Sequence, residues 1–113
     1  MNKSKITSHI LDIEKGRPAN DVLISLEVRS GENWIKLGES KTDNDGRVVD
    51  WLDKEIVTGH YRISFGIEEY FKRAGRECFY PSASIEFYLK NTQEHYHVPL
   101  LLSAHGYSTY RGS

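Results

Sequence analysis

With a single cysteine, Cys78, the chain cannot close an internal disulfide, and a lone thiol suits a reducing compartment. Such a residue ordinarily serves as a small apolar filler, because a nucleophilic thiol needs a lowered pKa that sequence does not reveal. No apolar stretch is long enough to span a bilayer. From Met1 through Lys3 and Lys5 the chain runs straight into patterned sequence, without a signal-peptide hydrophobic region. It ends in Arg-Gly-Ser, which is not a peroxisomal address. These absences point to the cytoplasm. Neither charge is in excess: 15 basic and 16 acidic side chains give a formal net charge of -1. That balance offers no electrostatic footprint for nucleic acid or an anionic membrane. There is no Gly-x-Ser-x-Gly elbow and no phosphate-binding glycine loop. No repeat, low-complexity segment or linker divides the chain, so residues 1–113 are expected to form one domain with a real core.

What is present is a period of two. In Val22 to Arg29 the even positions are apolar, while Ser25, Glu27 and Arg29 are polar, as in a half-buried strand. Tyr61, Ile63 and Phe65 alternate with Arg62 and Ser64. Ile85, Phe87 and Leu89 alternate with Glu86, Tyr88 and Lys90. Ile6 to Leu11, Trp34 to Ser40, His95 to Ser103 and Tyr107 to Arg111 read as further strands. Turn-forming residues separate them at Lys15 to Pro18, Ser30 to Asn33 and Asp43 to Gly46. One segment departs from this period. Ile67 to Ala74, between Gly66 and Gly75, places Ile67, Tyr70, Phe71 and Ala74 on one helical stripe. Seven or eight short strands and one short helix imply a β-sandwich.

The candidate chemistry gathers at the C-terminal end. Chain ends are normally polar and frayed, yet His95 to Ser113 is dense in aromatic and hydrogen-bonding groups, as expected of a tail that docks. Along this strand Val98, Leu100 and Leu102 share one face, and His95, His97, Pro99 and Leu101 share the other. If the first set fills the core, His97 faces outward on a mixed surface, where a solvated side chain is the plainer reading. Pro99 donates no backbone hydrogen bond and marks a strand edge or a local bulge. His95 and His97, with His9 as a third, are conceivable metal ligands, but no acidic residue accompanies them and the pattern is weak. Asp43-Asn44-Asp45-Gly46 is not a calcium loop, since Lys41 and Leu52 stand where such a loop needs acids. Arg47, directly after this turn, is either a solvated arginine or a fork of donors for a planar polar substrate.

The tail, His95-Tyr96-His97-Val98-Pro99-Leu100-Leu101-Leu102-Ser103 followed by Tyr107-Ser108-Thr109-Tyr110-Arg111-Gly112-Ser113, resembles the signature of the transthyretin-like 5-hydroxyisourate hydrolases. The resemblance runs from about Ile6 to Ser113. It takes in Ser8 to Asp12 with Gly16 to Ala19, Thr42 to Arg47, and Tyr80-Pro81. The terminal Tyr-Arg-Gly-Ser distinguishes these enzymes from transthyretin proper, a hormone carrier of the same fold. The resemblance implies an all-β, prealbumin-like sandwich of two four-stranded sheets with one short helix. It also implies a homotetramer with active sites at the dimer–dimer interface. The implied reaction is hydrolysis of 5-hydroxyisourate to 2-oxo-4-hydroxy-4-carboxy-5-ureidoimidazoline, without metal or organic cofactor. A non-catalytic tetrameric carrier of small ligands is the alternative. Carried over by position, catalysis falls to His9, Arg47, His97 and Ser113, and substrate binding to His9, Arg47, Tyr110 and Arg111. Ala104-His105 departs from the family's usual loop, and His60 matches no family role.

Overall fold

The alternating runs fold as strands whose apolar faces meet in one core. The computed structural model describes residues 3–113. Its elements are β1 (Ile6–Asp12), β2 (Arg17–Pro18), β3 (Leu23–Ser30), β4 (Asn33–Lys41), β5 (Arg47–Val48), β6 (Gly59–Phe65), α1 (Ile67–Arg73), β7 (Ala83–Leu89), β8 (Tyr96–Ser103) and β9 (Gly106–Thr109). The seven longer strands are the seven expected from alternation. One sheet has the order β4-β3-β6-β7; the other has the order β2-β1-β8-β9, with β5 also paired to β1. The second sheet therefore has five strands where four are expected. Three of them are the longer strands β1, β8 and β9; the other two, β2 and β5, are two-residue strands sharing one edge of β1, too short for any periodicity to register.

All pairings are antiparallel except β1 with β8, which run parallel from Ile6 opposite Tyr96 to Asp12 opposite Leu102. Even-numbered residues of both strands point inward. Ile6, Ile10, Leu100 and Leu102 pack against Ile24, Leu26, Ile63 and Phe65 of the facing sheet, all of them fully buried. The odd-numbered residues of β1 and β8 consequently share the outer face. Cys78 packs against the core and directs its thiol at the Tyr80 carbonyl, in keeping with a filler.

The helix buries Ile67, Tyr70 and Phe71 as its stripe predicts, with Glu68 and Glu69 in its first turn and Lys72 and Arg73 in its last. It stops one residue early. Ala74 is its exposed C-cap rather than part of the buried stripe, and Gly75 takes a φ of 67° to turn the chain. Asp12, wholly buried at the end of β1, holds the helix in place. It accepts hydrogen bonds from Tyr70 Oη at 2.7 Å and Arg76 Nη1 at 2.8 Å. Burial pushes its carboxyl up, but the hydrogen bonds from Arg76, Tyr70 and the Lys15 amide outweigh this and hold it below the usual carboxylate range. In turn, burial and the neighbouring Asp12 push the Tyr70 phenol up to about 12.

Pro99 lies inside the sheet, not at an edge strand, with β1 on one side and the C-terminal segment on the other. Leu100 pairs with Thr109, and the same register returns at His97 opposite Gly112. Between them Pro99 has no N–H to give, so the β8–β9 ladder breaks and β9 ends at Thr109, earlier than expected. Thr109 Oγ1 compensates by donating to the Pro99 carbonyl at 2.7 Å.

Candidate active site

Strand register brings the predicted groups together. On the outer face of the five-stranded sheet, Thr7 lies opposite His97, and His9 lies between Pro99 on one side and Arg47 on the other. Three of the four residues expected to be catalytic, His9, Arg47 and His97, thus occupy neighbouring positions on one face. His9 and His97 are half-buried and Arg47 is exposed. His60 is elsewhere, paired with Glu86 at 2.7 Å and packed against Trp34 and Tyr88 on the other sheet.

Arg47 owes its place to the turn before it. Asp43 Oδ1 accepts from the amides of Asp45 at 2.9 Å and Arg47 at 3.0 Å, and the Gly46 amide donates to the Asp43 carbonyl. Gly46 then lies so close to β1 that a Cβ would sit 2.5 Å from the Ile10 carbonyl oxygen, and its φ is 75°. Only glycine meets both conditions, and the result is that β5 docks with Arg47 beside His9.

All three imidazoles on this face have pKa values lowered from the ordinary 6.5, which favours their neutral form. Burial lowers the pKa of His97, aided by Arg47 and Lys3 and by the charge that His9 and His95 carry when protonated. His9 is lowered by burial and by Arg47, while the Asp45 carbonyl and the carboxylates of Asp43 and Asp45 pull the other way. His95 is lowered by burial and by Lys3 and Lys5. A neutral imidazole beside a guanidinium can take a proton from water while the cation faces developing negative charge. Thr7, only 2% exposed, anchors two of these rings: its Oγ1 lies 2.7 Å from His97 Nδ1 and 2.9 Å from His95 Nε2. Among the described residues, no three His, Cys, Asp or Glu side chains are gathered so as to hold a metal ion.

The tail divides in its placement. Gly112 donates its amide to the His97 carbonyl at 2.8 Å and lies against the imidazole, where a Cβ would come within 2.6 Å of Cδ2. Ser113 follows directly. Arg111 turns the other way. It pairs with Glu94 at 2.8 Å and reaches the His95 carbonyl, with its guanidinium 4.3 Å from the Tyr96 ring centroid. Tyr110 lines an apolar cavity of about 240 Å³ with Ile85, Phe87 and Val98. Within this chain, then, Tyr110 and Arg111 brace the tail and lie away from the His9–Arg47–His97 face. Replacing Gly112 by alanine is expected to lift the tail from His97 and cut kcat by at least about tenfold, since ångström-scale misplacement is costly in catalysis. The melting temperature should hardly move. Steady-state kinetics beside a thermal melt check this, and wild-type turnover would show that the tail contact is incidental.

The HIUase/Transthyretin family model matches residues 6–112. The chain belongs to this family. It is 44% identical over 109 residues to a 5-hydroxyisourate hydrolase of Salmonella dublin, covering 96% of this chain and 80% of that relative. The solved structure of Klebsiella pneumoniae 5-hydroxyisourate hydrolase is 34% identical, with a TM-score of 0.84 over 96% of this chain and 98% of the other. Sea bream transthyretin in complex with thyroxine has a TM-score of 0.90 at 27% identity, covering 96% of this chain and 95% of that one. The HIUase/transthyretin sandwich thus carries both a hydrolase and a thyroxine complex. The fold alone therefore does not separate the two; side chains must.

Two contacts of the His97 ring are not legible in the sequence. Thr7 shares the parity of His9 along β1, a usable signal, but its contacts depend on pairing with residues some 90 positions away. Gly112 is visible as part of a motif, while its steric necessity is visible only against the His97 ring.

Proposed function

We propose that this protein hydrolyses the cyclic amide of 5-hydroxyisourate to 2-oxo-4-hydroxy-4-carboxy-5-ureidoimidazoline, a step of urate breakdown. The observation that carries the reading is the convergence of His9, Arg47 and His97 on one sheet face, with the Gly112 tail laid over His97. The names of relatives at 44% identity agree with it. In this reading His97 takes a proton from water through Nε2 as the water oxygen attacks the carbonyl carbon. Arg47 faces the oxyanion that forms, and His9 orients the substrate and the water. When the tetrahedral intermediate collapses, the ring C–N bond breaks and the imidazolium returns its proton to the departing nitrogen. Ser113 offers a hydroxyl at the rim, and Tyr110 and Arg111 hold the tail that carries it. The reaction so written requires no metal or organic cofactor.

The site face is open in a single subunit, and outward Leu101 gives it apolar character. Both features support a homotetramer in which a partner face closes the site at the dimer–dimer interface. Cys78 is free, and among the described residues no helix is long and apolar enough to cross a membrane. The free thiol supports the cytoplasm as the place of action.

The test is the ultraviolet decay of freshly generated 5-hydroxyisourate. Decay should accelerate in proportion to added protein; decay unchanged by protein would favour a carrier. The pH profile adds a second check. A base that acts when neutral loses activity as pH falls through its pKa, which for His97 lies below the ordinary 6.5. The acid limb of kcat/KM is therefore expected below 6.5. Removing a positive charge eases protonation of both His9 and His97. The residual activity of Arg47→Gln should therefore show an acid limb displaced to higher pH. An unmoved limb would separate Arg47 from the two imidazoles.

A further inference from the structure

The Thr7 hydroxyl sits between two ring nitrogens, His97 Nδ1 at 2.7 Å and His95 Nε2 at 2.9 Å, and carries one hydrogen. A hydroxyl has one hydrogen to give and can accept from the other side. With both rings neutral, only two chains of hydrogen bonds satisfy all three groups. In one, His97 Nδ1–H donates to Thr7 and Thr7 donates to His95 Nε2, leaving a lone pair on His97 Nε2. In the other the direction reverses, and His97 carries its hydrogen on Nε2, where it cannot accept a proton from water. The tautomers of the two histidines are therefore locked together through a residue that is only 2% exposed.

Surroundings select between the two chains. The Nδ1 edge of His97 faces Thr7 and the Cδ2 edge is covered by Gly112, so Nε2 is the ring nitrogen left to the site. Arg47 shares this face, opposite His9, and a guanidinium offers only donors, so a lone pair at Nε2 is favoured over a second N–H. His95 is exposed, and water can meet its outer nitrogen in either tautomer. We infer that Thr7 is a positioning residue that, with His95 as the acceptor beyond it, holds His97 in the Nδ1–H tautomer with its lone pair on Nε2. The inference rests on the proposed role of His97 as base and assigns two residues that this role does not itself involve.

The experiment is a long-range nitrogen–proton correlation spectrum of the ¹⁵N-labelled full chain above pH 7.5, with His97 and His95 assigned by substitution, run beside steady-state kinetics. In the wild type, His97 should show a protonated Nδ1 and an unprotonated Nε2, and His95 likewise an unprotonated Nε2 with its hydrogen on Nδ1. Thr7→Val, close in shape but unable to hydrogen-bond, should lose that fixed tautomer and lower kcat by about tenfold or more, with KM within about twofold. Thr7→Ser should restore both. A wild-type His97 protonated on Nε2, or a Thr7→Val protein with unchanged tautomer and turnover, would overturn the inference. The wild-type spectrum decides the matter even if Thr7→Val fails to fold. It is also independent of activity: a protein inert toward 5-hydroxyisourate but with the expected spectrum refutes the proposed reaction and leaves the tautomer lock standing.

Discussion

Replacing His97 by asparagine is expected to lower the maximal rate of 5-hydroxyisourate hydrolysis by about 10²-fold or more, the usual scale for losing a general base. Asparagine is close in size to the near half of an imidazole, and its amide nitrogen can still donate to Thr7 Oγ1. Backbone contacts at this position, including the bond from the Gly112 amide, do not depend on the side chain. Folding should therefore survive. What disappears is a group that accepts a proton at neutral pH and returns it to the leaving nitrogen, which an amide does not do. The loss should fall on kcat, with KM changed little. Rapid-mixing kinetics on both proteins checks this; a variant whose KM alone rises would make His97 a binding group.

Removing Tyr110 to Ser113 is expected to abolish turnover while leaving the fold intact. The interactions of these four residues are peripheral to the core. The Arg111–Glu94 pair is exposed on both sides, and solvent-screened pairs of this kind contribute little to stability. The guanidinium over Tyr96 and the single bond from Gly112 to His97 add a little more. A melting temperature lowered by no more than roughly 10 °C is consistent with that sum. The functional loss is larger because the tail covers one edge of the His97 ring and carries Ser113 to the rim of the site. Circular dichroism melts and the decay assay on the truncated protein measure the two effects separately. Near-normal turnover would remove the tail from the mechanism.

Much of this architecture is legible in the sequence, and for a definite reason. Alternation in Val22 to Arg29 and Tyr61 to Phe65 reports one buried face per strand, so the strands and their inward residues follow directly. The outward placement of His97 follows from the same parity. Which residues meet across the sheet does not. His9 and His97 become neighbours through parallel pairing of β1 with β8, and Arg47 through a two-residue strand that leaves no periodic trace. Residue chemistry alone supplies only the outward histidine; family resemblance supplies all three positions. The resemblance also puts Arg111 and Tyr110 with the substrate; in this chain Arg111 lies against Glu94 and Tyr96, Tyr110 lines an apolar cavity, and Gly112 lies against His97. Ala74 drops out of the helix for a local reason: Gly75 in a left-handed conformation ends the helix just before the stripe is complete.

Whether these groups form one working pocket is decided by a crystal structure of the assembled protein with a purine-like inhibitor bound. The inhibitor ring is expected to be held by the Arg47 guanidinium, with His9 and His97 at its carbonyl edge and the Gly112-Ser113 tail beside it. An inhibitor seated away from these groups, in a protein that nevertheless turns over 5-hydroxyisourate, would refute the shared pocket.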